Sequence, residues 1–428
     1  MKTEYKKAKR KSRVIKARQE AVRVAGELQL SFNKEDLIRD LQNSVTDFAV
    51  KMGLQVGLEV IANEVAELCG ARYDRSKAPS RFGSQGGYII IGGQKVAIER
   101  PRVRGTCEVE LESYKLLQRG DALTSSVISR MIRGVSTRDY QGTVDSLDQG
   151  FGVKKSSVSR HFVAASKKVL KEFQQRRFDD VRFPVIYIDG IEYAGETLVG
   201  VLGIDMAGNK HILGLRHGAT ENKEVVKSLL EDLVSRGVNQ SQAILFVIDG
   251  GKALSSGIKS VFGKYGVVQR CQIHKRRNVL AHVSEQHVDD VKKRLAQGYN
   301  HKNYEDSLKS LQATAKWLDR LAPDAADSLR EGMEETITVI KLQLPEIITK
   351  SLVSTNIVES AFSVARKLTG RVKRWRSGDM RKRWCLAGLM RAEQAFKRIK
   401  GHKCMEQLVR ALDALVENKE IDIQRKAA

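Results

Sequence analysis

Two acidic residues of this chain share one local setting. Asp189 closes the run VIYID and Asp249 closes AILFVID, and a glycine follows each, giving YIDG and VIDG. Both runs are short and rich in β-branched residues, so both read as buried strands. Carboxylates at the exit ends of strands in one sheet can converge on a hard cation. Mg²⁺ is typically held by one or two carboxylates together with water and substrate phosphates. Asp-Gly after a strand is also a common turn, and taken singly each pair is more readily a turn than a ligand. Cys271 and His274, in CQIHKRRN, have the spacing of half a zinc site, while His402 and Cys404 lie far downstream. A four-ligand site needs both halves, so the pair reads first as a packed cysteine beside a satisfied histidine. Glu359 cannot be singled out by spacing. On a helix starting near Thr355, the residues Ile357, Val358, Ala361, Phe362, Val364, Ala365 and Leu368 form one apolar arc. Glu359 lies on the other side with Asn356, Ser363 and Arg366, free to face a groove. No GxxxxGK[ST] loop is present, which argues against ATPase chemistry.

The elements around these residues change character along the chain. After Pro184, VIYID is followed by TLVGVLGID and KHILGLRHG, a hairpin joined at Ala207-Gly208-Asn209. An amphipathic helix is expected over 222–235, then the strand AILFVID, a helix over 253–262 and the strand GVVQRC. Three strands, a helix, a strand, a helix and a strand is the order of a ribonuclease-H-like sheet, and other α/β folds share it. From His274 to about Leu344 no strand signal appears; the region reads as helical and contains Trp317. A helix beginning at STN (354–356) follows, then a basic stretch over 366–383, then helix to about Lys419.

Ahead of Pro184 the chain is mainly helical. Residues 34–68 carry apolar residues at three- and four-residue steps, and GGYIII and QKVAIERP form a small hairpin across Gly92-Gly93. Helices are expected over 137–147 and 156–173, separated by DQGFG. This is the arrangement of a helix-turn-helix, in which Lys154, Lys155, Ser157, Ser159 and Arg160 would reach base edges or phosphates. An ordinary helical hairpin with a solvated basic face fits the same pattern.

Charge favours the first of these. Lys and Arg number 75 against 51 Asp and Glu, a formal net charge of +24, and such a surplus points to a nucleic-acid partner. Arg371, Lys373, Arg374, Arg376, Arg381, Lys382 and Arg383 are placed to follow a DNA backbone. Trp317, Trp375 and Trp384 are suited to stacking on an unpaired base, although tryptophan's area more often goes to cores. Five scattered cysteines fit a reducing cytoplasm rather than a disulfide framework. No apolar run approaches the ~18 residues of a membrane span, and the basic N-terminus lacks the apolar region of a secretory signal.

Four of these segments, RGVSTRDY, the two IDG motifs, RCQIHKRRN and STNIVESAFSVARKLTGR, occur in an order that resembles the Mutator-type transposases of bacterial insertion sequences, in the DDE superfamily. The likeness spans roughly residues 35–400. It implies that Asp189, Asp249 and Glu359 are the catalytic and metal-holding triad, with Cys271 and His274 shaping the active site. It implies Mg²⁺, for which Mn²⁺ can substitute, and a copy-out route through a circular intermediate. The partner implied is double-stranded DNA, both the element's terminal inverted repeats and the target, in the bacterial cytoplasm. A homodimer or larger assembly is expected, because two element ends must be held together. The expected fold is multidomain α/β, a ribonuclease-H-like core interrupted by an all-helical insertion, behind a mainly helical DNA-binding region. The expected segments are a basic arm, helices and hairpin (1–120), the helix-turn-helix region (121–182) and the first part of the core (183–282). The insertion (283–345), the second part of the core with the glutamate helix (346–400) and a C-terminal helix (401–428) complete the chain.

Overall fold

The computed structural model describes residues 45–70, 78–91, 94–119, 127–131, 150–151, 155–193, 195–218, 222–370, 372, 375 and 377–427. They fall into two units divided between Lys168 and Val169. In the first, helix α1 (Val45–Cys69) precedes a long hairpin of β1 (Ser80–Ile91) and β2 (Gln94–Arg104). β3 (Glu108–Val109) and β4 (Gly150–Phe151) both pair with β2. Leu54, Ile61 and Val65 recur on one side of α1 and pack on Ile89, Val96 and Ile98 of the hairpin. The short helix α2 (Glu112–Leu117) has no side-chain cap of its own. Glu64 of α1 supplies one, accepting from the backbone N–H of Glu112 at 2.7 Å and of Ser113 at 3.0 Å.

β1 begins well before GGYIII. Its first seven residues are exposed, so they lack the apolar alternation that marks a half-buried strand. Helix α3 (Lys155–Gln175) answers to the expected second helix of a helix-turn-helix. The expected first helix, 137–147, and the Gly92-Gly93 turn lie outside the described residues.

The second unit is built on one five-stranded sheet. Its strands are β5 (Val185–Tyr193), β6 (Glu196–Ile204), β7 (Lys210–His217), β8 (Ile244–Ile248) and β9 (Gly266–Arg270), in the order β7-β6-β5-β8-β9. β5, β6 and β7 are antiparallel neighbours, whereas β8 runs parallel to β5, and β9 to β8. Side-chain alternation sorts the sheet into two cores. Ile186, Ile188, Phe246 and Ile248 face helices α4 (Lys223–Ser235) and α5 (Lys252–Phe262). Val185, Tyr187, Leu245 and Val247 face the other way, where the C-terminal helices pack.

Between β9 and those helices the chain is wholly helical. α6 (Gln272–Leu280), α7 (Val288–Tyr299), α8 (Tyr304–Leu321), α9 (Pro323–Arg330) and α10 (Thr338–Lys341) share a core of their own, including Val279, Leu295, Leu311, Leu318 and Leu329. This helical run starts at Gln272, two residues ahead of the helical stretch read from His274 in the sequence. The chain then returns to the sheet through α11 (Glu346–Leu352), α12 (Asn356–Thr369), α13 (Gly378–Gln394) and α14 (Met405–Ala427). On α12 the buried face is Val358, Ala361, Phe362 and Ala365. Val364, read above as part of that arc, is 37% exposed at its flank. No helix among the described residues is long and apolar enough to cross a membrane.

Candidate active site

Asp189 does not end its strand. β5 continues to Tyr193 because its antiparallel neighbour β6 pairs it throughout, with Asp189 opposite Gly200. What ends at this level is the parallel neighbour: β8 stops at Ile248, opposite Ile188, and Asp249 follows. Ile188 and Ile248 both belong to the α4/α5 core, so by alternation the two aspartates project toward the side of α12. Asp249 does open a turn; its Oδ1 accepts from the Gly251 N–H at 3.3 Å, just ahead of α5. Asp189 is 4% exposed, and its Oδ1 accepts from the Gly190 N–H at 2.9 Å.

Glu359 stands in the first turn of α12. The fully buried Thr355 organises its surroundings. Its Oγ1 lies 2.9 Å from Glu359 Oε1, 3.4 Å from His274 Nδ1 and 3.6 Å from Cys271 Sγ. A hydroxyl has one proton to give. The shortest contact takes it, so Thr355 donates to the carboxylate and its oxygen is left to accept from the imidazole. His274 Nε2 is 3.8 Å from Glu359 Oε1. Cys271, also fully buried, ties the end of β9 to the end of β8 by donating its N–H to Ile248 O at 2.7 Å. The fold thus brings together Asp189, Asp249, Glu359, Cys271 and His274, residues widely separated in sequence.

The electrostatics follow from that gathering. Burial raises the Asp189 pKa, and the neighbouring charges of Asp249 and Glu359 add to it against the pull of His274, giving about 7. His274 is raised to about 9, first by its hydrogen bond to Cys271 and then, against desolvation, by Asp189 and Glu359. Burial pushes the Cys271 thiol up, but hydrogen bonds from the His274 side chain and from the His274 and Thr355 backbone outweigh it and its pKa falls. The result is a pocket of three mutually repelling carboxylates with one imidazolium at its edge. Hard oxygen donors with excess negative charge fit Mg²⁺ or Mn²⁺ and do not fit a thiolate-preferring ion. As the side chains stand, no three His, Cys, Asp or Glu among the described residues are closed around a metal position; Glu359 is bonded back to Thr355.

Thr355 was not marked by the sequence, where STN reads only as a helix start. Gly200 was not marked either. A Cβ at Gly200 would collide with Cζ at the tip of the Phe362 ring, so glycine lets α12 lie close on the sheet at the level of Asp189.

Only some of the residues expected to touch DNA lie among those described. Ser159 and Arg160 are exposed on α3; the side chains of Lys155 and Ser157, and all of Lys154, lie outside the described residues. Arg371, Lys373, Arg374 and Arg376 also lie outside them. Arg381 donates to Glu196 at 2.7 Å, and burial lowers the Lys382 pKa. Trp375 packs edge-on against Tyr193, with ring centroids 5.4 Å apart. Trp317 is half-buried against the helical core, with the Arg294 guanidinium 4.4 Å above its ring.

Comparison with known proteins gives this gathering a context. The chain is 28% identical over 350 residues to the transposase for insertion sequence element ISRM5 of Rhizobium meliloti (strain 1021), covering 78% of this chain and 84% of that protein. It is 25% identical over 340 residues to the transposase for insertion sequence element IS1201 of Lactobacillus helveticus, covering 76% and 89%. The transposase for IS256 in transposon Tn4001 of Staphylococcus aureus is 26% identical over 269 residues, covering 59% and 67%. The family model described as "Transposase, Mutator family" matches residues 22–379, a span that takes in both aspartates, the Cys271–His274 pair, the helical run and Glu359. The chain belongs to the Mutator family of transposases.

Proposed function

We propose that this chain is the transposase of a bacterial insertion sequence, cutting and joining DNA strands at a DDE site formed by Asp189, Asp249 and Glu359. The observation that carries the reading is the approach of Asp249, just past the end of β8, and Glu359, on α12, to the buried Asp189, whose pKa their charges raise. The strand order, with three antiparallel strands and then two parallel ones, supports a ribonuclease-H-like core. The helical run between the second and third acids supports an insertion into it.

Asp189, Asp249 and Glu359 would hold two Mg²⁺ ions, which supply Lewis-acid polarisation of the scissile phosphate and ease deprotonation of the attacking oxygen. The chain's own residues set the stage for that chemistry. β5 and the end of β8 fix the two aspartates side by side, while Thr355 and His274 hold the Glu359 carboxylate by hydrogen bond and charge. Hydrolysis at an element end breaks a P–O3′ bond and frees a 3′-OH; that hydroxyl then attacks the phosphorus of a second phosphodiester in line, forming a new O–P bond as that strand's own 3′-oxygen leaves. Neither step needs a covalent link to the protein or an external energy source. The DNA partners in this reading are the element's terminal repeats and the target duplex, held by a dimer or larger assembly.

A labelled oligonucleotide carrying an element end, incubated with the full chain and Mg²⁺, tests the reaction. Joined products longer than the input are expected; cleavage without joining would make the protein a nuclease instead.

A further inference from the structure

Arg270 is the last residue of β9, and its side chain is only 7% exposed. It reaches in two directions. Nη1 donates to the carbonyl of Gly250 at 2.6 Å, and Nε donates to Glu335 at 2.5 Å. Gly250 directly follows Asp249 and has a left-handed backbone (φ +116°), so its carbonyl is set by the same turn that aims the Asp249 side chain. Glu335 belongs to the helical run. It also accepts from Ser255 at 3.1 Å and pairs with Lys259 at 3.5 Å, both on α5, the helix that this turn opens into.

The helical run is shaped to receive the guanidinium. Gly332 (φ +61°) lies flat against it; a Cβ there would come 2.5 Å from Arg270 Cζ. One turn further on, the buried Lys275 donates to Ser328 O at 2.6 Å and to Glu331 O at 2.7 Å. These bonds satisfy carbonyls where α9 ends and hold the 328–335 segment against the end of the sheet.

We propose that Arg270 is a positioning residue for Asp249, bracing the turn after that acid against the helical run so that metal affinity at the acids depends on the run being docked. The inference rests on Asp249 holding metal. A planar guanidinium holds its donors in a fixed fork that reaches the Gly250 carbonyl from Nη1 and Glu335 from Nε, a geometry that the single nitrogen of a lysine on its flexible stem does not reproduce. Outer partners that orient ligating carboxylates typically carry about 10–100-fold of metal affinity or activity. Arg270 is bonded to the carbonyl after Asp249 and to the helical run, so its effect reaches the chemistry through the Asp249 turn.

The test is Mn²⁺ binding to the metal-free, full-length protein without DNA, read from the spin-resonance signal of free Mn²⁺. Wild type is compared with Arg270→Lys, Glu335→Gln and Asp249→Asn, each checked for cooperative thermal unfolding. Glu335→Gln keeps the volume and removes the carboxylate bonded to Arg270 Nε, leaving the Gly250 carbonyl and the Glu331 carboxylate at 3.7 Å, so it carries the test should Arg270→Lys not fold. Arg270→Lys is expected to weaken Mn²⁺ binding about tenfold or more, and Glu335→Gln several-fold. Wild-type Mn²⁺ affinity in a folded Arg270→Lys or Glu335→Gln protein, alongside lost binding in Asp249→Asn, would overturn the inference and leave the acid assignment standing. Wild-type affinity in Asp249→Asn would instead overturn the acid assignment on which it rests.

Discussion

A carboxyl that is 4% exposed and faces two other carboxylates holds a negative charge poorly. In the metal-free protein Asp189 has its pKa raised to about 7, against roughly 3.9 in an unfolded chain. The folded state therefore binds this proton more tightly. The stability it contributes is fully present below about pH 4 and is lost as pH rises toward about 7. Asp189→Asn mimics the protonated acid. In EDTA the variant should melt with wild type near pH 4 and above it at pH 8, and Mg²⁺ should raise the melting temperature of wild type alone. Parallel melting curves across that range would contradict the electrostatic account. Thr355 offers a second test at this scale. Thr355→Ser keeps the hydroxyl that holds Glu359 and should stay active, whereas Thr355→Val should lose about 10–100-fold in strand cleavage, the range typical of residues that orient a ligand. An active Thr355→Val protein would reduce the residue to core packing.

Strand β6 and helix α12 meet through a glycine, and that contact belongs to the elements rather than to either residue. Gly200→Ala drives a methyl into Phe362 and should destabilise by about 1–3 kcal/mol, the usual cost of overpacking. Because α12 carries Glu359, cleavage should fall as well. Phe362→Leu added to Gly200→Ala should recover part of both losses, a non-additivity expected only of residues in contact; simple addition of the two effects would argue that the glycine matters for another reason. The sequence was informative where one element carries its own signal. VIYID and AILFVID read as strands because buried central strands are unbroken apolar runs. The helical character of the run after β9 was legible from its lack of strand signals. Its start was legible to within two residues, His274 against Gln272, although α6 opens QIHKRRN, a segment with almost no apolar periodicity. Asp189 was read as a strand end because Asp-Gly is turn chemistry; pairing with β6 overrides that preference. Gly200 and Arg270 act through partners remote in sequence, and Thr355 joins Glu359 of its own helix to the distant His274 and Cys271; nothing local distinguishes them. Glu359 was selected by the family likeness alone, since a solvated glutamate has the same spacing.

At the scale of the whole molecule, a chain with net charge +24 acts on a polyanion, and the electrostatic part of that interaction is measurable without knowing which residues touch DNA. Binding of the full chain to element-end duplex should weaken steeply with salt. Neutralising about six phosphates gives a slope near −5 in a plot of log affinity against log salt, and a slope near zero would contradict a phosphate-tracking surface. Asp189→Asn, Asp249→Asn and Glu359→Gln should leave that slope and the binding itself unchanged, because backbone contacts are made by other residues. The central claim is that the three acids form one metal-dependent site, and Glu359 tests it most sharply. With the full chain, Mg²⁺ and a labelled element end, Glu359→Gln should bind the DNA as wild type does, yet yield neither the cleaved strand nor the joined product. A Glu359→Gln protein that cleaves and joins at the wild-type rate would contradict the account, even if both aspartates proved essential.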